Sequence, residues 1–209
     1  MIINEKKYFL LSATVTLLFI IQSFHIEEGF GAVNDVPRDL DYGIKFHYPD
    51  TWKYLPKYNI DTADDLSTTS FTIIHNSSII NDIDKSFNGY LITIKVIDDI
   101  PLPTTTTSAK QWARSALTDI SEQPNKYKLI EPATPNGDFK TLPISQGKYN
   151  GYTFTIEDKT TQKIKVKTVL ILDNKRYEFD YTSSNINNEI AYTYINDYKE
   201  ILNSVKFYW

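Results

Sequence analysis

The sequence predicts an α+β domain in which amphipathic helices pack on an antiparallel sheet. Segments that alternate apolar and polar residues at period two lie on both sides of a stretch with helical periodicity, and a second helical stretch closes the chain. The chain has 209 residues, of which 41% are hydrophobic and 23% charged, so it can bury a core of ordinary size. No internal repeat and no break that demands two domains interrupts it.

The first strand signal lies between Tyr42 and Trp52. The apolar residues at period two are Ile44, Phe46 and Tyr48. Because side chains alternate across a strand, these three share one face, and Lys45 and His47 take the other. Pro49 pre-sets a turn, after which Trp52 returns an apolar ring to the first face.

Two further strands are predicted in the first half of the chain. Phe71–Ile74 is apolar and short, and Tyr90–Ile97 alternates cleanly between apolar and polar residues. The polar residues 57–69 predict an exposed loop, and residues 75–88 predict a second polar connection.

A helix is predicted from Ser108 to the residues before Pro124. Ser108 with Gln111 forms a capping-box pattern, and Pro124 ends the segment. The apolar stripe has spacing i, i+3, i+4, i+7, i+8 and i+11: Ala109, Trp112, Ala113, Ala116, Leu117 and Ile120. Such a stripe predicts that the helix docks on a sheet.

The second half of the chain predicts more strands and a hairpin. Residues 127–130 and 152–156 are strand candidates, separated by a segment rich in proline. Alternating residues 164–172 and 177–181 flank Asp173-Asn174, and a two-residue loop would set Leu170 against Tyr177 and Lys167 against Asp180. We expect the Lys167–Asp180 pair on an exposed face.

The last helix is predicted from Asn187 to about Val205. Its apolar positions repeat at three and four residues: Ile190, Tyr194, Ile195, Tyr198, Ile201, Leu202 and Val205. Phe207 and Trp209 follow as a short apolar tail that could pair at a sheet edge.

The N-terminal residues 1–31 predict an export segment. Lys6 and Lys7 precede the uncharged run Tyr8–Ile21, and small residues follow as far as Gly31, as in a cleaved secretory signal. The alternative is an uncleaved anchor, because the run extended to Phe24 has seventeen residues, at the low edge for crossing a bilayer. Residues 32–41 would then be a polar leader, and residues 42–209 would be the domain. Whether residues 1–31 are a cleaved signal or an uncleaved anchor, the domain lies outside the cytoplasmic membrane.

At its two ends the domain resembles the PsbP-like family. The opening Gly43-Ile44, Tyr48-Pro49 and Trp52 is similar to the family's first hairpin. The ending Ile201-Leu202-Asn203-Ser204-Val205-Lys206-Phe207 is similar to its closing helix and strand. The resemblance covers roughly residues 40–209 and rests on packing motifs. It implies an α/β/α sandwich around an antiparallel sheet of about six strands, and an extracytoplasmic protein that is not an enzyme.

One candidate ion site can be read from the sequence. Asp82, Asp84 and Ser86 have the one-three-five oxygen spacing of a calcium loop. An EF-hand would need Gly at the next position and an acid at the twelfth, where Phe87 and Thr93 stand. A solvated acidic loop is therefore the alternative, and calcium is the possible ligand.

Two other patterns concern a glycan and a transition metal. Asn76-Ser77-Ser78 is an N-glycosylation sequon, which an exported protein could use. His47 and His75 could share a metal only if their strands are neighbours; otherwise His47 is an exposed histidine.

The remaining composition excludes several classes of function. The absence of cysteine excludes disulfides and thiol chemistry, and a net charge of −4 does not fit a nucleic-acid binder. No nucleophile elbow, P-loop, zinc-protease motif or dinucleotide fingerprint is present. We expect a non-enzymatic protein that binds a protein partner in the cell envelope, with a calcium-binding protein and an envelope hydrolase using paired acids as alternatives.

Overall fold

The computed structural model describes residues 33–35, 43–55, 68–81, 86–97 and 109–208, all within the unit Val33–Trp209. The predicted export segment, most of the predicted loop 57–69, the predicted capping residue Ser108 and Trp209 lie outside these ranges. In the described ranges, no helix has the length and apolar character needed to cross a membrane.

Fourteen strands and three helices are described. The strands are β1 (Val33–Asp35), β2 (Ile44–Lys45), β3 (His47–Pro49), β4 (Trp52–Tyr54), β5 (Thr68–His75), β6 (Ile79–Asn81), β7 (Ser86–Asn88), β8 (Tyr90–Ile97), β9 (Tyr127–Glu131), β10 (Lys140–Ile144), β11 (Tyr149–Asp158), β12 (Lys163–Leu172), β13 (Lys175–Ser183) and β14 (Lys206–Phe207). The helices are α1 (Ala109–Ser121), α2 (Asn188–Ala191) and α3 (Ile195–Ser204).

An eight-stranded antiparallel sheet organises the domain. Its order is β10-β11-β12-β13-β8-β5-β4, and β9 also pairs with β11. Three two-stranded pairs lie outside it: β1 with β3, β14 with β2, and β6 with β7. The expected antiparallel sheet with packed helices is confirmed, with two strands more than the six expected.

Opposite faces of the sheet carry separate apolar cores. Leu170 packs in the larger core together with Phe179 and with Tyr198 of α3. Val169, the next residue along β12, packs in the second core with Leu117 of α1. Because successive side chains of a strand point to opposite faces, α1 and α3 cover the two sides of the sheet. The arrangement is an α/β/α sandwich.

The opening strand follows its predicted pattern. The side chains of Ile44, Phe46 and Trp52 are at most 1% exposed, and all three belong to the larger core. The strand does not fold back on itself, however. β2 pairs with β14 near the C-terminus, β3 with β1, and β4 with β5, so this stretch joins three different partners.

The central hairpin confirms the predicted register. Leu170 pairs with Tyr177 and Lys167 with Asp180 across a two-residue loop. The loop residues Asp173 and Asn174 have φ angles of 47° and 62°. Left-handed angles at both positions are required by the tight turn that matches the twist of its strands, and Asp and Asn tolerate them.

Several strands arise where the sequence predicted connections. The leader 32–41 contributes β1, the connection 75–88 contains β6 and β7, and the proline-rich segment contains β10. The sequence predicts no strand at β10, because a proline such as Pro143 argues against one. Pro143 is tolerated because β10 lies at an edge of the sheet and needs hydrogen bonds on one side only.

The predicted closing helix is interrupted, which corrects the sequence interpretation. α2 ends at Ala191 and α3 begins at Ile195. The Tyr90 hydroxyl donates to the Ile190 carbonyl (3.0 Å), and the Tyr181 hydroxyl donates to the Ala191 carbonyl (2.8 Å). These carbonyls would accept from helical amides if the helix continued, so two tyrosines of the sheet stabilise the break.

A hydroxyl network joins α3 to the middle of the sheet. The fully buried hydroxyl of Tyr198 lies 2.7 Å from Thr168 Oγ1 and 2.9 Å from the Phe179 carbonyl oxygen. Thr168 Oγ1 in turn lies 2.9 Å from Thr153 Oγ1. Burial raises the pKa of Tyr198, so its hydroxyl keeps its proton for this network.

We expect Tyr198→Phe to lower the free energy of unfolding by about 1–3 kcal/mol, because it removes two buried hydrogen bonds, one to Thr168 Oγ1 and one to the Phe179 carbonyl oxygen. Tyr152→Phe is the matched control, since the Tyr152 hydroxyl has no hydrogen-bond partner among the described residues. Urea denaturation of both variants measures the difference. Equal stability of Tyr198→Phe and wild type would contradict the role given to the network.

Candidate functional site

Only one of the three predicted calcium residues lies within the described residues. Asp82 and Asp84 lie outside the described residues, and Ser86 begins β7, with no description of its side chain. The segment 82–85 connects two antiparallel strands, β6 and β7, whereas an EF-hand loop connects two helices. Within the described ranges, no group of three or more acidic or histidine side chains is placed to hold a metal. Calcium binding stays a prediction.

The sequon asparagine lies in an exposed turn. Asn76 follows β5, and its side-chain amide donates to the Asp50 carbonyl at 3.1 Å. Ser78, the sequon hydroxyl, accepts from the Tyr90 amide at 2.7 Å and donates to the Tyr90 carbonyl at 3.1 Å. Asn76 is therefore accessible at the surface, and a glycan there stays a prediction.

The two histidines are on strands that are not neighbours, so the condition for a shared metal fails. His47 lies on β3 and His75 on β5, which belong to different sheets. His47 is half-buried rather than fully exposed, and its backbone amide and carbonyl both bond Ser204 Oγ, at 2.9 and 3.0 Å. His75 is buried at the end of β5.

An aromatic cage surrounds the His75 ring. The His75 cluster comprises Trp52, His75, Tyr90 and Tyr194. His75 stacks on Tyr194 with ring centroids 3.8 Å apart, and Trp52 meets His75 edge-on at 5.2 Å. Tyr90 meets Tyr194 edge-on at 4.7 Å. The indole of Trp52 donates to Asp197 Oδ2 at 2.8 Å, which orients the Trp52 ring.

Burial makes His75 a weak base. Removal from water lowers the pKa of His75, and the nearby Asp197 carboxylate only partly opposes this shift. The neutral ring keeps a bond of 2.7 Å between its Nδ1 and the Ser77 hydroxyl. Sequence reasoning missed the cluster, because Trp52 and Tyr194 approach His75 only through the tertiary fold.

A charged cluster, in which Glu178 is buried and the other members are half-buried, lies on the other side of the sheet. It comprises Lys167, Arg176, Glu178 and Asp180. Lys167 Nζ lies 2.7 Å from Glu178 Oε2 and 3.1 Å from Asp180 Oδ2, and Arg176 Nε donates to Glu178 Oε1 at 2.7 Å. The expected Lys167–Asp180 pair is present, but the expected exposed face is wrong. Trp112 of α1 covers Arg176, whose guanidinium carbon lies 4.6 Å from the ring centroid.

The two carboxylates of this cluster respond to burial in opposite ways. Burial favours a higher pKa for Glu178, but the charges of Lys167 and Arg176 outweigh it and hold the pKa below its ordinary value. Burial raises the pKa of Asp180 despite Lys167, and Asp180 Oδ1 has no hydrogen-bond partner in the described part of the chain. The cluster ties α1 to the sheet through Trp112 and contains no histidine or hydroxyl nucleophile.

The exposed apolar side chains point to a different kind of site. Among the described residues, the exposed large hydrophobic side chains are Ile79 (70% exposed), Ile186 (47%) and Ile190 (44%). We call these three residues the isoleucine surface. They lie on β6, on the segment after β13 and on α2.

Hydrogen bonds around Gly89 join the three segments of the isoleucine surface. Ile79 pairs with Asn88, and Asn88 Oδ1 accepts from the Ser184 hydroxyl at 2.7 Å. The Gly89 amide donates to the Ser184 hydroxyl at 2.6 Å, and the Ser184 amide donates to the Gly89 carbonyl at 2.9 Å. The Tyr90 hydroxyl donates to the Ile190 carbonyl. A Cβ on Gly89 would lie 2.2 Å from Ser78 Oγ, so this junction requires glycine.

Two shallow clefts open on the described surface. One, of about 340 Å³, lies between the end of α1 and β9 and is lined by residues that include Pro124, Lys128 and Lys159. The other, of about 220 Å³, lies between the β10–β11 turn and β14. Neither lining contains a carboxylate or a histidine within the described residues, so neither presents the paired acids of the hydrolase alternative.

Comparison with known proteins identifies the fold. No protein-family model and no curated protein matches the chain. The solution structure of cyanobacterial PsbP (CyanoP) from Synechocystis matches with a TM-score of 0.51 and 13% identity, over 87% of this chain and 96% of that one. The crystal structure of LpqN, involved in cell envelope biogenesis of Mycobacterium tuberculosis, matches with a TM-score of 0.48 and 11% identity, over 86% and 93%. The chain therefore has the PsbP-like fold that its sequence suggested.

We expect the stability of the protein to fall as the pH drops below about 6.5, the ordinary pKa of histidine. Below that pH the histidine of the unfolded chain binds a proton more readily than buried His75, whose pKa is lowered by burial, so each lower pH unit costs up to about 1.4 kcal/mol. Unfolding free energies of wild type, His75→Gln and His47→Gln at pH 5 to 8 measure the effect. His75→Gln should flatten the profile and His47→Gln should not; the same slope in all three would contradict the assignment.

If Asp82 and Asp84 hold calcium, the ion at 100 times its dissociation constant should add about 2.7 kcal/mol to the free energy of unfolding. Thermal unfolding with and without calcium measures this gain, which Asp82→Ala with Asp84→Ala should abolish. Asp119→Ala with Asp138→Ala is the control for charge. A gain that survives in the Asp82/Asp84 variant would remove both residues from the site.

Proposed function

We propose that this protein is a non-enzymatic, extracytoplasmic accessory protein that docks on a protein partner in the cell envelope through the isoleucine surface. The observation that carries the proposal is the exposure of Ile79, Ile186 and Ile190 on segments joined by hydrogen bonds. Single exposed apolar residues are ordinary, but exposed side chains on a fixed junction can present one contact area.

The chemistry of the surface supports a protein partner. When a partner removes aliphatic side chains from water, the free energy gained is roughly 25 cal/mol per Å² of apolar area buried. Their segments also carry polar groups at the rim, among them Asn88 and Ser184, as protein interfaces commonly do. The backbone around Gly89 is held in place, so little ordering would oppose binding.

The proposed location rests on the N-terminal segment. A basic start, an apolar run and small residues near position 31 are typical of export, and Asn76 offers an exposed position for a glycan. In this proposal the membrane is involved only through residues 1–31, if they remain attached.

The proposal is tested by site-specific photo-crosslinking of the full chain in its native envelope. A crosslinker at position 79 or 190 should capture the same protein, and one at the exposed Ser115 of α1 should not. The captured protein is then purified for binding measurements. The same capture from all three positions would contradict docking through the isoleucine surface.

We expect Ile79→Ser with Ile190→Ser to weaken binding of the captured partner about tenfold or more, because apolar anchors lose their contact area. The free energy of unfolding should change by less than about 0.5 kcal/mol for each exposed position. Ser115→Asn with Thr118→Asn on α1 is the control, and calorimetric titration measures the affinities. Undiminished binding by the double isoleucine variant would overturn the proposal.

A further inference from the structure

The cleft beside β14 combines features that neither the fold nor the isoleucine surface requires. It has a volume of about 220 Å³ and lies between the β10–β11 turn and the last strand. Its lining consists of Ser145, Lys148, Tyr149, Lys206, Phe207 and Tyr208. Two cations, three side-chain hydroxyl groups and three aromatic rings therefore meet in one small concavity.

The wall formed by the β10–β11 turn is held in an unusual backbone conformation. Ser145, Gln146 and Gly147 have successive φ angles of 57°, 56° and 78°. The left-handed region is unfavourable for the first two residues, which carry a Cβ. The Ser145 amide donates to the Leu202 carbonyl at 3.0 Å, and the Gln146 amide donates to the Asn203 carbonyl at 2.8 Å. The end of α3 thus fixes the turn, and strained residues of this kind concentrate at binding sites.

Aromatic rings form the apolar part of the cleft. Tyr149 meets Phe207 edge-on with centroids 5.5 Å apart, and Phe207 meets buried Tyr177 at 4.8 Å. The Tyr208 amide donates to the Gly43 carbonyl at 2.7 Å, which fixes the far side of the cleft. Buried Tyr177 supports the Phe207 ring from the protein interior, so the cleft needs no rearrangement to accept another ring.

Among the described residues, the cations of the cleft have no acidic partner. Lys148 and Lys206 are exposed, and neither takes part in an ion pair with any residue that the structure describes. The ammonium of Lys148 lies 5.2 Å from the Tyr149 ring centroid. Lys206 is also directly opposite Lys45 in the β14–β2 pair, where like charges are unfavourable. The two exposed ammonium groups of the cleft attract an anion locally, although the whole protein has a net charge of −4.

We propose that this cleft binds a small organic anion, a carboxylate or phosphate carried on one aromatic ring. The acid group lies between the ammonium groups of Lys148 and Lys206, and the ring packs against Tyr149 and Phe207. The volume of about 220 Å³ is below the roughly 300–1,000 Å³ of sites for larger ligands, which limits the occupant to a single ring with its acid.

The proposal is tested by titrating the full chain with four probes and following the amide and aromatic NMR signals of residues 145–149 and 206–208. The probes are phenyl phosphate, benzoate, inorganic phosphate and benzyl alcohol. Phenyl phosphate and benzoate should bind with a dissociation constant of about 1 mM, as expected for ligands of this size. Inorganic phosphate lacks the ring and benzyl alcohol lacks the charge, so each should bind at least about threefold more weakly.

The double variant Lys148→Gln with Lys206→Gln should weaken benzoate binding about tenfold and abolish the salt dependence of the affinity. The control Lys53→Gln with Lys110→Gln removes the same charge from the far edge strand β4 and from α1, and should retain the wild-type affinity. Absence of saturable shifts with both aromatic acids would overturn the proposal. It would equally be overturned by equal binding of benzyl alcohol, or by equal losses in the two lysine variants.

Discussion

The alternation of side chains along β13 is the constraint on which the rest of the structure depends. Tyr177, Phe179 and Tyr181 point to one face, where they belong to the larger core. Glu178 and Asp180 point to the other face and pair with Lys167. A shift of one residue in the register would place charges in the larger core and aromatic rings under α1. The two-residue turn at Asp173-Asn174 prevents this shift, so a local backbone preference fixes the architecture of both layers.

Sequence reasoning succeeded where local pattern and tertiary packing agree. The hairpin register and the burial of Ile44 follow directly from period-two alternation. It failed where a distant residue decides the local structure. The break between α2 and α3 depends on hydroxyls of Tyr90 and Tyr181, and β10 tolerates Pro143 only because of its place at the edge. No window of the sequence around residue 192 or 143 contains that information.

The candidate surfaces were harder to predict than the fold for the same reason. The isoleucine surface joins β6, the segment after β13 and α2, and the cleft joins the β10–β11 turn to β14. Each combines segments that are remote in sequence and individually unremarkable: an exposed isoleucine or a surface lysine is ordinary by itself. The acidic spacing at Asp82 and Asp84, by contrast, is visible in the sequence, and it lies between β6 and β7.

The pairing of β2 with β14 has a consequence for the order of events in folding. Residues 43–54 pair with β1 and β5 and also depend on residues 194–208: Ile44 pairs with Phe207, and the Trp52 indole donates to Asp197. Contacts of such long sequence separation form late and slowly, because a large loop must close first. A chain emerging from a ribosome therefore cannot close its larger core until those last segments are synthesised.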